Sequence, residues 1–294
     1  MKIGFIGYNK HTGRIIDKIQ NDNKLSLTGI YSSHDISLKN NSLTIHTPEK
    51  LMDESDILYI SDSEGSYDIC QYAIKESRHL FFESPFCLTL EEFERLFHLA
   101  NETNSHIKFS QEILQKQIYT ALRKSLNPVI IKFNIFDNKE NELKNHIFNF
   151  VTITRELVKS GIKKIYYNKT SNDFDTALSF NLNLIFDNGR TAECFVTQIT
   201  DVEKVMLQAY QESEAIEIDF KNNYATIASW KGETIEKNEF KRTDNKEKTI
   251  EDLIQFAENI STNNQKPLIV REESYYILTV THKLLDTIHS TVKT

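Results

Sequence analysis

Arg78-His79-Leu80-Phe81-Phe82-Glu83-Ser84-Pro85-Phe86-Cys87-Leu88-Thr89-Leu90-Glu91-Glu92-Phe93 spells out a strand, a turn and a helix start in succession. Leu80-Phe81-Phe82 is an unbroken apolar run, and Glu83-Ser84-Pro85 interrupts it with a charge, a hydroxyl and a residue that cannot donate a backbone hydrogen bond. Thr89 followed three residues later by Glu92 has the spacing of a capping box. Beyond it Phe93, Leu96, Phe97 and Ala100 recur on one helical face. A strand that ends in a polar turn and feeds an amphipathic helix is the repeating unit of a parallel sheet with helices on its faces.

The same alternation extends in both directions. Upstream, strands are predicted over Lys2 to Gly7, Leu25 to Ser32, Leu43 to His46 and Ile57 to Ile60, with helices at Gly13 to Ile19 and Tyr67 to Glu76. Downstream, a helix over Leu90 to Thr103 and a strand over Ile107 to Ser110 complete the order of a doubly wound nucleotide-binding domain. After a helix from Glu112 to Ser125 and the break at Asn127-Pro128, the texture changes to longer strands: Val129 to Phe136, Lys164 to Asn168, Leu178 to Phe186, Thr191 to Thr200, Val205 to Ala209, Ala215 to Phe220 and Tyr224 to Ser229. Asp187-Asn188-Gly189 is a hairpin signal between two of them. Helices are predicted at Asn145 to Ser160, Glu251 to Ile260 and Ser274 to Thr291. The expected fold is therefore an α/β Rossmann-like doubly wound parallel sheet over residues 1–125, then an α+β domain with an open, mainly antiparallel sheet over residues 126–294.

The 294 residues carry a formal net charge of −7 and no basic run, which excludes a dedicated nucleic-acid surface. Lysines such as those between Lys241 and Lys248 are interleaved with Glu and Asp, as on a solvated face. Met1 leads directly into an apolar strand with no targeting segment, and no apolar run approaches the roughly 20 residues that span a bilayer, so a cytoplasmic protein is expected. Cys70, Cys87 and Cys194 are odd in number and far apart, consistent with reduced thiols and with no metal site.

The frame from Arg78 to Phe93 resembles the Gfo/Idh/MocA family, glucose-fructose oxidoreductase, inositol dehydrogenase and relatives, in which this strand ends in Glu-Lys-Pro. The resemblance implies a dinucleotide domain followed by an α+β domain whose exposed sheet face makes a homodimer or higher homo-oligomer. The family's lysine hydrogen-bonds the substrate group that gains or loses the hydride, and its proline commonly follows a cis peptide. Here Ser84 stands at the lysine position, and a neutral hydroxyl cannot stabilise a developing alkoxide with positive charge. The family's second catalytic element is a helix bearing an Asp and, four residues on, a His. Aligned on Ser160-Gly161, those positions are Ile147 and Val151. His146 and Asn149, three apart and on one face, are the polar pair left, with Arg155 further along. Ser84, His146 and Asn149 are thus the candidate catalytic residues.

Cofactor positions follow from the same frame. A dinucleotide site needs a glycine-rich turn, because the pyrophosphate approaches backbone N–H groups at a helix N-terminus. The segment here is Gly7-Tyr8-Asn9-Lys10-His11-Thr12-Gly13, one residue longer than the fingerprint, with Asn9 in place of the middle glycine and tolerant of left-handed backbone angles. The second strand ends in Ser32-Ser33 with no acid before Asp35. A carboxylate there would grip the ribose of NAD, so its absence favours NADP over NAD, with Lys10 and His34 as phosphate partners. Ser61, Asp62 and Glu83 line the ends of the next strands, where Asp62 and Glu64 bring negative charge and the family's proline and histidine are missing.

Three readings stay open. One is a divergent oxidoreductase transferring hydride to or from a small metabolite, sugar-like or an imine or conjugated acceptor. Another is a catalytically inactive pseudoenzyme that binds a nucleotide or metabolite. The last is a dimeric scaffold without a ligand, since fold alone does not fix function.

Overall fold

The computed structural model describes residues 1–21, 24–33, 46–61, 66–137, 139, 142–169, 179–198, 200–231, 234–242, 248–262 and 266–291. Contacts divide the chain into a unit of Met1–Glu112 with Glu247–Thr279 and a unit of Ile113–Lys246 with Val280–Thr294.

In the first unit, β1 (Lys2–Ile6), β2 (Ser26–Tyr31), β3 (Ile57–Ile60), β4 (His79–Phe82) and β5 (Ile107–Phe109) form a parallel sheet in the order β2-β1-β3-β4-β5. Crossover helices α1 (Lys10–Ile19), α2 (Pro48–Glu54), α3 (Tyr67–Lys75) and α4 (Leu90–Thr103) connect the strands. Helices α2 and α4 start where the sequence supplies a cap. Thr47 caps α2 by accepting from the Lys50 N–H, with Pro48 in the first turn, and Thr89 and Glu92 close the capping box of α4. The central strands β3 and β4 are buried along almost their whole lengths, as expected of a parallel sheet with helices on its faces. Residues 43–45 of the expected third strand lie outside the described residues, and α2, unforeseen, follows them.

The sequence pattern cuts the chain once, at 125/126, whereas residues 247–279 group with the first unit. The reason is the apolar face of α8 (Lys248–Ser261). Ile250, Leu253, Phe256 and Ala257 pack into the same core as Ile15, Ile16 and Ile19 of α1 and Phe5, Tyr59 and Phe81 of the sheet. Fully burying one such side chain is worth about 1.5–3 kcal/mol, which outweighs sequence distance.

In the second unit, the expected helix over Glu112 to Ser125 is two short pieces, α5 (Glu112–Gln115), at the boundary of the units, and α6 (Gln117–Leu122). There follow β6 (Ile130–Phe136), α7 (Leu143–Val158), β7 (Ile162–Lys169), β8 (Ser179–Phe186), β9 (Thr191–Thr197), β10 (Lys204–Tyr210), β11 (Glu214–Asp219), β12 (Tyr224–Lys231) and β13 (Thr234–Lys241). Their sheet runs β13-β12-β11-β10-β6-β9-β8-β7. It is antiparallel except where β6 pairs with β9. Alternation sorts the two faces: Ile131, Phe133 and Ile135 of β6 are fully buried while Lys132 and Asn134 between them are not. The hairpin of β8 and β9 turns at Asn188-Gly189, with Gly189 at φ +80°. A final helix, α9 (Lys266–Thr291), supplies residues to both units.

Candidate functional site

The β1–α1 turn is built around Gly7, a buried residue at φ +90° whose N–H donates to the Tyr31 carbonyl of β2 at 2.7 Å. The left-handed backbone falls here and not on Asn9, which is extended at φ −134° and serves as the N-cap of α1. Asn9 Oδ1 accepts from both His11 N–H and Thr12 N–H at 2.8 Å. Its Nδ2 donates to Glu83 Oε2 at 3.3 Å, so two residues named from sequence meet across the ends of β1 and β4. Short polar N-caps satisfy first-turn donors in this way, and that chemistry, more than backbone tolerance, explains an asparagine at the place of a glycine.

The remaining turn residues divide. Gly13 lies under the Tyr8 ring, where a Cβ would come within 2.9 Å of the Tyr8 hydroxyl. Lys10 is exposed. His11 Nε2 sits 3.1 Å from Thr249 Oγ1 on α8 and 3.6 Å from Glu112 Oε1, and the buried Thr249 hydroxyl donates to the same carboxylate. Thr249 and Glu112 carry no motif in the sequence; only the return of α8 reveals them. Thr12 is fully buried and its hydroxyl has no partner among the described residues.

At the other strand ends, Ser32 is half-buried and Ser33 exposed, while Ser61 is buried with its N–H on the Ile6 carbonyl at 2.9 Å. His34, Asp35, Asp62 and Glu64 lie outside the described residues. After β4, the Ser84 hydroxyl accepts from the Phe86 N–H at 3.2 Å and the Cys87 thiol donates to the Ser84 carbonyl at 3.5 Å. The Ser84–Pro85 peptide is trans, unlike the cis bond that the resemblance implied. All three cysteines are free.

In the second unit, His146 on the first turn of α7 places Nε2 2.9 Å from Asp137 Oδ2 at the end of β6. Its Nδ1 is enclosed and has no hydrogen-bond partner among the described residues. Burial raises the Asp137 carboxyl's affinity for a proton. The His146 hydrogen bond, the Lys139 N–H and the nearby positive charges outweigh that and hold the group below its ordinary value. Ile147 and Val151 are core residues, and Asn149 is half-buried one turn beyond His146. Asp137 is the residue that sequence reading missed, being one acid among several at a strand end. Ser84 belongs to the first unit and His146 and Asn149 to the second.

A separate cleft of about 540 Å³ in the second unit is lined by Arg123, Lys124, Glu156, Lys159, Asn188 and Arg190. Arg190 and Asn188 donate there to the Leu157 and Val158 carbonyls, closing the end of α7, and none of the candidate catalytic or cofactor-binding residues read from the sequence lines it. Among the described residues no cluster of His, Cys, Asp and Glu is placed to hold a metal, and no helix is long and apolar enough to cross a membrane.

Residues 1–109 match a family described as an oxidoreductase family with an NAD-binding Rossmann fold. No curated protein matches the chain. Among solved structures, UDP-N-acetylglucosamine 3-dehydrogenase from Acidithiobacillus ferrooxidans superposes with a TM-score of 0.79 at 14% identity over 96% of both chains. A dehydrogenase from Chromobacterium violaceum gives 0.80 at 14% identity over 99% of this chain and 95% of its own. Biliverdin reductase from Synechocystis, solved with biliverdin and NADP+, gives 0.71 at 13% identity over 95% of this chain and 96% of its own. At such identities the likeness is one of fold.

Proposed function

We infer, because residues 1–109 match an oxidoreductase family with an NAD-binding Rossmann fold and the frame around Glu83-Ser84-Pro85 resembles the Gfo/Idh/MocA family, that the chain is a divergent nicotinamide-dependent oxidoreductase acting on a small cytosolic metabolite. The observation that supports this best is the β1–α1 turn. Gly7 at φ +90° leads into a helix N-terminus at the carboxyl ends of β1, β3 and β4, next to Glu83. Doubly wound sheets take their ligands at that edge, and a turn without a Cβ at Gly7 fits a pyrophosphate. When bound, the dinucleotide supplies or accepts the hydride.

The chain's own residues favour one kind of partner. Ser32 and Ser33 end β2 without a carboxylate that would repel a 2′-phosphate, so NADP is preferred to NAD. Ser84 uses a lone pair to accept from Phe86 and keeps its proton for a substrate nitrogen or oxygen. That proton is one neutral hydrogen bond, where the family's lysine brings a cation. A conjugated or imine acceptor suits such a site better than a secondary alcohol, because a C=N group can arrive already protonated and no strong base is needed. His146, with Nε2 on Asp137 and Nδ1 enclosed, serves by fixing the start of α7 on the end of β6.

The loss of lysine, Asp and His together also favours a second reading, a pseudoenzyme that binds a nucleotide or metabolite without turnover. Either form would self-associate through the outer face of the eight-stranded sheet, where Ile130, Tyr166, Trp230 and Ile235 are exposed. Calorimetric titration with NADPH, NADH and their oxidised forms tests both. Micromolar binding with preference for the 2′-phosphate supports the dinucleotide site. Silence to millimolar concentrations sinks it and leaves a scaffold.

A further inference from the structure

We propose that Asn9 is a built-in gate on the dinucleotide site: its side chain occupies the donors that the pyrophosphate needs, and nucleotide binding requires it to leave. The proposal rests on the reading that this turn takes a dinucleotide.

The first intrahelical bond of α1 is Gly13 N–H to Asn9 O at 2.9 Å, so the N–H groups of Lys10, His11 and Thr12 are left over by the helix itself. Those are the donors a helix N-terminus offers an anion. Asn9 Oδ1 takes two of them, His11 and Thr12, each at 2.8 Å. Only the Lys10 N–H is not taken up among the described residues. The amide cannot simply turn over, because Nδ2 is held by Glu83 Oε2 at 3.3 Å. The Glu83 carboxylate thus fixes which end of the amide faces the helix and places a negative charge beside the path of an incoming phosphate.

A further observation marks the place as built for more than a self-capped helix. Thr12 is fully buried, and its hydroxyl has no partner among the described residues. Helical side chains lean toward the helix N-terminus, so this unsatisfied hydroxyl leans to the end that Asn9 covers. Buried hydroxyls are ordinarily hydrogen-bonded. A phosphate oxygen that displaced the Asn9 amide would satisfy Thr12 together with the His11 and Thr12 N–H groups.

Two variants test the gate in opposite directions, with calorimetric dissociation constants for NADPH and for ADP-ribose, which keeps the pyrophosphate and lacks the nicotinamide. Asn9→Gly removes the competing oxygen and is a tolerated N-cap; it is expected to bind both ligands at least 10-fold more tightly than the wild type. Asn9→Asp retains the cap and adds a negative charge; it is expected to bind at least 10-fold more weakly, and it keeps the proposal testable if Asn9→Gly does not fold. A weakly binding wild type with an Asn9→Gly that binds at least 10-fold more tightly supports the gate. Equal affinities in wild type and variants overturn the gate and leave the dinucleotide reading standing. Absence of binding in all three proteins overturns both.

Discussion

His146 and Asp137, nine residues apart, meet at 2.9 Å between Nε2 and Oδ2 and tie the first turn of α7 to the end of β6. The Asp137 carboxyl also accepts from the Lys139 N–H at 2.9 Å. Asp137 is held below its ordinary value by these contacts, so its charged form binds protons less readily in the folded protein than in the unfolded chain. The stability it contributes is therefore present above the ordinary carboxylate range and lost as pH falls through the depressed value.

Replacing Asp137 by Asn should lower unfolding stability near neutral pH by about 1.5–3 kcal/mol, the range for a hydrogen bond to a charged group. It should also flatten the acid limb of the stability curve. Urea melts at a series of pH values measure both. An unchanged midpoint together with an unchanged acid limb would show that the pair does not form.

Lys108 and Asp252 give the first unit its own ion pair, between β5 and α8. Both residues are nearly inaccessible, at 7% and 1% exposure. Asp252 Oδ2 also accepts from the Gln111 N–H at 2.8 Å. Asp252→Ala leaves the lysine charge buried and alone, which typically costs 3–5 kcal/mol. The double variant Lys108→Met, Asp252→Leu should recover most of that loss, since an apolar pair of similar volume leaves no uncompensated charge. Denaturant midpoints of the singles and the double decide it, and a double as damaged as Asp252→Ala would contradict the ion-pair account.

How far the sequence speaks depends on whether a feature is local. Phe93, Leu96, Phe97 and Ala100 announce α4 because helix periodicity lies within one segment, and Asn188-Gly189 announces a hairpin because its turn needs a positive φ. β13 is invisible by comparison. Every residue from Thr234 to Lys241 is exposed, so no alternation marks it, and it exists through its register with β12. The return of α8 to the first core and the pairing of His11 with Thr249 depend on contacts across more than two hundred residues. The candidate site divides in the same way. Glycines and the Glu-Ser-Pro frame are local signals, whereas Asp137 and the contact between Asn9 and Glu83 appear only when strand ends are brought side by side.

Ser84 provides a test of the turn it occupies. Its hydroxyl is the acceptor for the Phe86 N–H, so Ser84→Ala should cost about 0.5–1.5 kcal/mol, and Ser84→Thr, which keeps the acceptor, should cost less. Thermal melts of the two variants at neutral pH are sufficient. Equal losses would mean that the hydroxyl bond does not hold the turn.

His79 carries the clearest pH signature. It stacks on His106 with ring centroids 5.1 Å apart and planes 7° from parallel, and its Nδ1 accepts from the His106 N–H at 3.1 Å. Burial, and then the neighbouring His106, push its pKa down from 6.5 to about 4. Between those values the unfolded chain binds a proton that the folded protein refuses, so stability rises with pH across the window. The contribution is complete above about 6.5 and lost as pH falls toward 4. At about 1.4 kcal/mol per pKa unit, the whole window is worth about 3 kcal/mol. His79→Asn keeps a side-chain acceptor and removes the titration. Its stability, followed by urea unfolding from pH 7 to pH 4, should fall less steeply than that of the wild type by up to that amount, with the difference accumulating between pH 6.5 and pH 4. Parallel curves for the two proteins would show that His79 titrates alike in the folded and unfolded states and that the stacked pair does not exclude the proton.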